Sequence, residues 1–282
     1  MSLKQNSGGK GRSLIELKNA GFPVPHFYIL PNSFFKDLSA ESLPSKLQEI
    51  LSKNNLSYPL AVRSSANAED SAEHSFAGLF ETVLNVSDLA LLIQAVNKVR
   101  CSLSSERVFH YGKKTGVGNF EMSIILQKMV QATEAGVLFT ANPISGNRSE
   151  MMISAVRGLA DKLVTGEVDG ETIRLGPEAQ VIGSANSQIL TPFQLQLLYH
   201  SSRQAAVKFG KPLDIEWAFE DEKLFFLQAR PITTPLVSES KKKIVFDNSN
   251  IQESYCGVTT PLTFSYASEA YCEVYNQLMK LM

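Results

Sequence analysis

An α+β fold is predicted for this chain of 282 residues, and three observations predict it. Short β-prone runs are interspersed with amphipathic helical stretches, without the strict strand–helix alternation of a doubly wound sheet. Two segments, 213–219 and 224–230, alternate apolar and polar residues on either side of an acidic turn, as the arms of a hairpin do. Two connector-like stretches, YGKKTGVGN at 111–119 and TTPLVSESKKK at 233–243, divide the chain into an N-terminal part, a middle part and a short tail.

The elements can be read in order. Leu14, Ile15, Leu17 and Lys18 predict a short helix that stops at Gly21, ahead of Pro23 and Pro25. Ser87 or Asp88 caps a helix whose apolar positions are Leu89, Leu92, Ile93, Val96 and Val99. Thr191 and Pro192 start a third helix, which continues through Phe209 and ends at Gly210 and Pro212. Runs at 58–63, 123–127, 136–140 and 151–154 are short, apolar and β-prone. In the tail, Thr259, Thr260 and Pro261 precede a helix with no stop signal, which suggests a segment of a longer polypeptide, or simply a C-terminal helix.

Composition excludes several classes. The net charge of −1 gives no basic footprint for nucleic acid and no polybasic patch for a membrane surface. No uncharged apolar stretch approaches the ~20 residues that span a bilayer. The N-terminus lacks the apolar core of a signal peptide. The three cysteines, Cys101, Cys256 and Cys272, are widely spaced and form no CxxC pair, so a reducing, cytoplasmic setting is expected. None of the four histidines sits in a catalytic spacing.

Four motifs carry chemistry. Gly8-Gly9-Lys10-Gly11 stands directly before a helix, where glycines let backbone N–H groups approach a phosphate and Lys10 adds a point charge; the spacing is not that of a Walker A loop. Alternatively it is a glycine turn with a solvated lysine. In the run from Ala61 to Asp70, an apolar strand delivers Arg63, suited to bidentate phosphate binding or to a surface ion pair with Glu69 or Asp70. In the run from Ser75 to Thr82, Gly78 brings backbone close to a ligand and Thr82 offers a hydroxyl, unless the stretch is an ordinary bend. The hairpin is the fourth. A three-residue loop, Asp221 to Lys223, puts Glu216 opposite Gln228 and Asp214 opposite Arg230, with Gln228 and Arg230 sharing a face with Phe226. Glu216 and Gln228 are then hard oxygen ligands for Mg²⁺, with Arg230 beside them for terminal phosphates; otherwise the face carries a routine cross-strand ion pair.

The order GGKG, RSSANAED, SFAGLFET, IILQKMV, GVLFTANP, DIEW and LQARPI resembles the N-terminal ATP-grasp domain of the phosphoenolpyruvate synthase, pyruvate phosphate dikinase and rifamycin phosphotransferase family, over roughly residues 8–233. The resemblance implies a two-lobed α+β ATP-grasp fold with nucleotide between the lobes. Residues 1–112 would form the first lobe, 113–235 the second, and 236–282 the start of a following segment. It also implies roles. Lys10, Arg63 and Arg230 match phosphate-binding and catalytic basic residues. Gly78 and Thr82 match phosphate-loop contacts. Gln127, Lys128, Met129 and Val130 match the strand that meets adenine, and Glu216 and Gln228 match the magnesium and ATP ligands. One departure is Gly158-Leu159-Ala160-Asp161, where the family often has Gly-Leu-Gly-Glu.

The activity so implied is ATP-dependent phosphotransfer to a histidine on a swivelling domain, then to pyruvate held by an acceptor-substrate domain. No histidine of this chain matches that motif. An antibiotic acceptor and a non-catalytic ATP-sensing module are the alternatives.

Overall fold

The computed structural model describes residues 7–36, 38–67, 81–102, 121–183, 187–232 and 273. Gly78, the two connectors and, apart from Glu273, the tail helix lie outside the described residues. By contact, the chain divides into units 1–239 and 240–282, and all that follows concerns the first.

Two antiparallel sheets organise this unit, in keeping with the α+β expectation. The first contains β1 (Phe27–Leu30), β2 (Leu60–Ala66), β3 (Thr82–Val86) and β4 (Met122–Lys128), in the order β1-β4-β2-β3. The second contains β5 (Glu134–Phe139), β6 (Met151–Arg157), β7 (Glu171–Leu175), β8 (Leu213–Glu220) and β9 (Lys223–Pro231), in the order β7-β6-β5-β8-β9. Among the described residues the α-helices of this unit are α1 (Gly8–Asn19), α2 (Leu43–Lys53), α3 (Leu89–Ser102), the short α4 (Asp161–Thr165) and α5 (Pro192–Phe209).

Strand alternation explains how the first sheet is covered. Leu60 and Val62 of β2 and Ile124 and Leu126 of β4 face one core, closed by Leu43, Leu47 and Leu51 of α2 and Leu92, Val96 and Val99 of α3. Their neighbours Arg63, Ser65, Ile125 and Gln127 point to the opposite face, where Leu14 of α1 packs on Ile29 and Ile125. In the second sheet, Ile215, Trp217 and Phe219 of β8 and Phe226 of β9 enter a core closed by Leu195, Leu198 and Tyr199 of α5. Leu17 of α1 joins that second core, and the Ser13 hydroxyl of α1 donates to the carbonyl of Ala229. Helix α1 is thus shared by both sheets.

Helix ends follow the sequence signals. Asp88 Oδ1 accepts from the Leu91 amide at 2.8 Å, so Asp88 rather than Ser87 caps α3. Thr191 and Gln194 form a reciprocal capping box on α5, and Gly210 ends it in a left-handed conformation.

Three expectations are corrected. The division at 112/113 would place β4 in the second lobe, yet β4 is an interior strand of the first sheet, paired with β1 and β2. Six of its seven residues are buried, as an interior strand covered on both faces requires. The sheets therefore part between Lys128 and Glu134. Second, α1 begins at Gly8, so the glycines form its first turn instead of a loop ahead of it.

The third correction concerns the hairpin. Its loop holds two residues, Asp221 and Glu222, and Glu220 pairs with Lys223. Continued evenly, that ladder would set Leu227 opposite Glu216 and turn Gln228 into the core. A bulge intervenes: Trp217 pairs with Phe226, and the next pair is Glu216 with Gln228. Leu227 is the extra residue, and a bulge shifts facing by one position. The expected pairs Glu216–Gln228 and Asp214–Arg230 form, but Phe226 lies on the core face and not with Gln228 and Arg230.

Candidate functional site

One arginine links the two sheets directly. Arg63 leaves β2 on the face opposite the α2/α3 core and reaches the polar face of the β8–β9 hairpin. Its Nη2 donates to Glu216 Oε2 at 2.9 Å and to Gln228 Oε1 at 2.7 Å. Its Nη1 donates to the Leu227 carbonyl at 3.0 Å and, at the long limit of 3.4 Å, to Gln127 Oε1. The carbonyl that Arg63 uses belongs to the bulge residue itself. With side-chain exposures of 11% for Arg63 and 24% for Glu216, this ion pair is sheltered from the solvent that weakens surface pairs.

Two buried donors within the cluster have no acceptor among the described residues: Arg63 Nε and Gln127 Nε2. Buried N–H groups normally have partners, and a pair without them beside a guanidinium suits the oxygens of an anion.

Arg230 extends the cluster along β9. Its Nε donates to Asp214 Oδ2 at 2.8 Å, with Asp214 almost fully buried. Burial pushes the Asp214 carboxyl above the usual carboxylate range; Arg230 opposes this, and the nearby Glu216 charge adds to it. Thr82, at the start of β3, is the cross-strand partner of Arg63 and is exposed.

Helix α1 is docked beside Arg63 by Ser65, two residues further along β2. The Ser65 hydroxyl donates to the Ser7 carbonyl at 2.6 Å and accepts from the Gly11 amide at 2.9 Å. Gly8 has φ +66°, and a Cβ there would lie 2.1 Å from the Ser65 carbonyl oxygen. Lys10, half-buried, sits between the two docked glycines on the first turn of α1. Gly8→Ala should therefore lever α1 off β2. A loss of about 2 kcal/mol in unfolding free energy is expected, from overpacking together with left-handed strain. Urea denaturation of the two chains checks it.

The strand expected to meet adenine has part of its backbone engaged. The Lys128 amide donates to the His26 carbonyl at 2.8 Å, and the Met129 amide to the Pro59 carbonyl at 3.0 Å. Val130 is buried in a small apolar cluster with Ala135 and Ala218, against which Leu227, Phe225 and Ala160 pack. This cluster lies on the same face of the second sheet as Glu216. Ala160, the departure from the family pattern, contributes to it, while Asp161 opens α4 and is exposed.

Arg63, Gln127, Glu216 and Gln228 thus form one connected group, with Arg230 and Thr82 adjoining it. Sequence reasoning missed Ser65 and the Leu227 carbonyl. The i, i+2 spacing of Arg63 and Ser65 would have placed Ser65 on the same strand face; a backbone carbonyl exposed by a bulge leaves no side-chain signal.

Two antiparallel sheets are thus bridged by an arginine, in a group that carries amide and carboxylate oxygens and two buried donors without an acceptor among the described residues. The family model for the pyruvate phosphate dikinase AMP/ATP-binding domain matches residues 40–188 and 179–253. The chain belongs to that family, and is the ATP-grasp domain that phosphoenolpyruvate synthases and rifampicin phosphotransferases share. It is 30% identical, over 84% of its length, to a probable phosphoenolpyruvate synthase of Methanocaldococcus jannaschii, of which it covers 26%. It is 28% identical, over 98% of its length, to the prodigiosin synthesizing transferase PigC of Serratia marcescens, covering 38% of that protein. It is 34% identical, over 66% of its length, to the rifampicin phosphotransferase of Bacillus subtilis, covering 25% of it. The chain therefore spans between a quarter and two fifths of the length of these relatives. No helix among the described residues is long and apolar enough to cross a membrane.

Proposed function

We propose that this chain binds ATP between its two sheets and serves as the phosphoryl-donating module of a phosphoenolpyruvate synthase-like phosphotransferase. The single observation that carries the reading is the convergence of Arg63, from the first sheet, on Glu216 and Gln228, from the second. Arg63 lies more than 150 positions from either partner, so their meeting is set by the tertiary fold and brings both sheets to one polar group.

In this reading, Arg63 and Arg230 hold phosphate oxygens and neutralise charge that builds up on the transferring group, as does Lys10 from the first turn of α1. The unfilled donors Arg63 Nε and Gln127 Nε2 add two hydrogen bonds to the same anion. Thr82 offers its hydroxyl, and Gly78 its backbone. Adenine rests against the apolar cluster around Val130. Since the amides of Lys128 and Met129 are engaged elsewhere, that segment is left to recognise the base through its carbonyls and Val130.

Glu216 and Gln228 are the residues that would hold Mg²⁺. A carboxylate and an amide oxygen are the hard donors that this ion selects, and both already converge on one cationic nitrogen. Among the described residues no group of three or more His, Cys, Asp or Glu gathers, so a site of few protein ligands completed by phosphate and water is the type that fits. Magnesium bound there would draw charge from the phosphate oxygens.

A histidine on a domain outside this chain would attack the β-phosphorus, releasing AMP, with the γ-phosphoryl passed to water. The phosphohistidine would then phosphorylate pyruvate. An antibiotic acceptor is the second reading, favoured by the 34% identity to a rifampicin phosphotransferase. Calorimetric titration with ATP and Mg²⁺ tests the reading common to both. Glu216→Ala and Gln228→Ala should each weaken binding by roughly tenfold, about 1.4 kcal/mol. Affinity equal to that of the unaltered chain in both variants would dismiss the assignment.

A further inference from the structure

We propose that Arg63 and a divalent cation compete for the oxygens of Glu216 and Gln228, so that without nucleotide the chain's own guanidinium closes the metal site. Divalent metal then loads only together with a nucleotide. The inference rests on the reading that these two oxygens are metal donors, and it adds an order to their use.

The geometry makes coexistence unfavourable. Arg63 Nη2 stands 2.9 Å from Glu216 Oε2 and 2.7 Å from Gln228 Oε1. A magnesium ion binds such oxygens at about 2.1 Å, so an ion on Gln228 Oε1 lies no farther than about 4.8 Å from Nη2. At that separation a dication and a guanidinium repel each other while drawing on the same two acceptor oxygens.

Arg63 is also not loosely placed. Nη1 is held by the Leu227 carbonyl and by Gln127, so the guanidinium is held at both terminal nitrogens.

Charge balance gives the same answer. Among the described residues the group pairs two guanidinium ions with two carboxyl groups, as Arg63–Glu216 and Arg230–Asp214. A bare dication would add two positive charges to these described pairs and would have to draw on a carboxylate that Arg63 already uses. The phosphates of a nucleotide bring their own negative charge and give Arg63 new acceptors, including for its unfilled Nε. The guanidinium can then move from the two oxygens to phosphate, and the metal can take its place. Metal and nucleotide should consequently bind with strong positive coupling, and Arg63 is the residue through which they are coupled.

The test uses Mn²⁺ alone on the 282-residue chain, with free metal followed by electron paramagnetic resonance. Arg63→Met should bind Mn²⁺ at least tenfold more tightly than the unaltered chain, and adding Glu216→Gln should remove the gain. Equal or weaker binding by a folded Arg63→Met would overturn the proposal. Should that variant not fold, the unaltered chain decides. The Arg63 Nε–H resonance should keep its width under Mn²⁺ alone and broaden once a non-hydrolysable ATP analogue is added. Broadening by the metal alone would refute the competition. Titration of ATP into the same samples separates the two claims: a chain that takes no ATP removes the nucleotide reading, while one that binds ATP and takes Mn²⁺ equally with and without Arg63 removes the competition only.

Discussion

Arg63→Ala should lower ATP affinity by about 100-fold, roughly 2.7 kcal/mol, the largest binding effect expected of any single residue in the cleft. The side chain is the one described contact that reaches from β2 to β8 and β9 through several hydrogen bonds at once. Charge-assisted bonds each contribute about 1.5–3 kcal/mol, and a phosphate would inherit more than one of them. The same substitution should cost about 3 kcal/mol of stability, because it leaves the Glu216 carboxylate sheltered and without its cation. The two losses can be told apart. Arg63→Ala combined with Glu216→Ala should be more stable than Arg63→Ala alone, since removing the carboxylate removes the unmatched charge, yet ATP affinity should not return. Denaturant midpoints and calorimetry on the single and double variants measure both. A double variant less stable than either single one would show that Glu216 has no need of Arg63.

Much of this cluster is legible in the sequence. Arg63 follows directly on an apolar run, Leu60 to Val62, and Glu216, Gln228 and Arg230 occupy alternating positions on a hairpin. An arginine delivered by a buried strand needs an acceptor, and a polar face flanked by Trp217 and Phe226 needs a reason. What the local sequence offers as the partner of Arg63, Glu69 or Asp70, lies outside the described residues; the partner among those described is 153 positions away. Long-range pairing of that kind leaves no periodicity to read.

The hairpin shows how a correct pairing can follow from an incorrect turn. Propensity does not separate a two-residue loop plus a bulge from a three-residue loop, because both shift the ladder by one residue. They differ in what happens between the turn and the bulge: only the observed form sends Phe226 into the core while keeping Gln228 in the cleft. Likewise, the glycines of the first motif are read as a phosphate loop, whereas in the structure they begin a helix and allow it to lie against Ser65. The need for small residues is recognisable from sequence, but whether a ligand or a neighbouring strand fills the space depends on tertiary packing.

A glycine that sequence reasoning passes over supports the other prediction of large effect. Gly136 lies in the middle of β5, opposite Trp217 of β8 and Ala155 of β6. Glycine in a strand interior is unfavourable by itself and marks a close approach of neighbouring groups. Here a Cβ would stand 1.9 Å from the Ser154 carbonyl oxygen and 2.8 Å from Cζ2 of the Trp217 ring, which is fully buried. Neither neighbour can yield: the first is backbone of a strand paired on both edges, and the second fills the centre of the larger core. Gly136→Ala should therefore cost about 3 kcal/mol or more, above the usual range for overpacking, because strand and ring are crowded together. Trp217→Phe in the same chain should fail to rescue it, since a smaller ring leaves the carbonyl contact in place. The damage should reach the cleft as well, because Glu216 is the residue before Trp217 and its aim at Arg63 depends on where β8 lies. Thermal unfolding of the single and double variants, with ATP titration of whichever remains folded, tests this. Full recovery by Trp217→Phe would mean that the ring, and not the strand backbone, is what excludes a side chain at position 136.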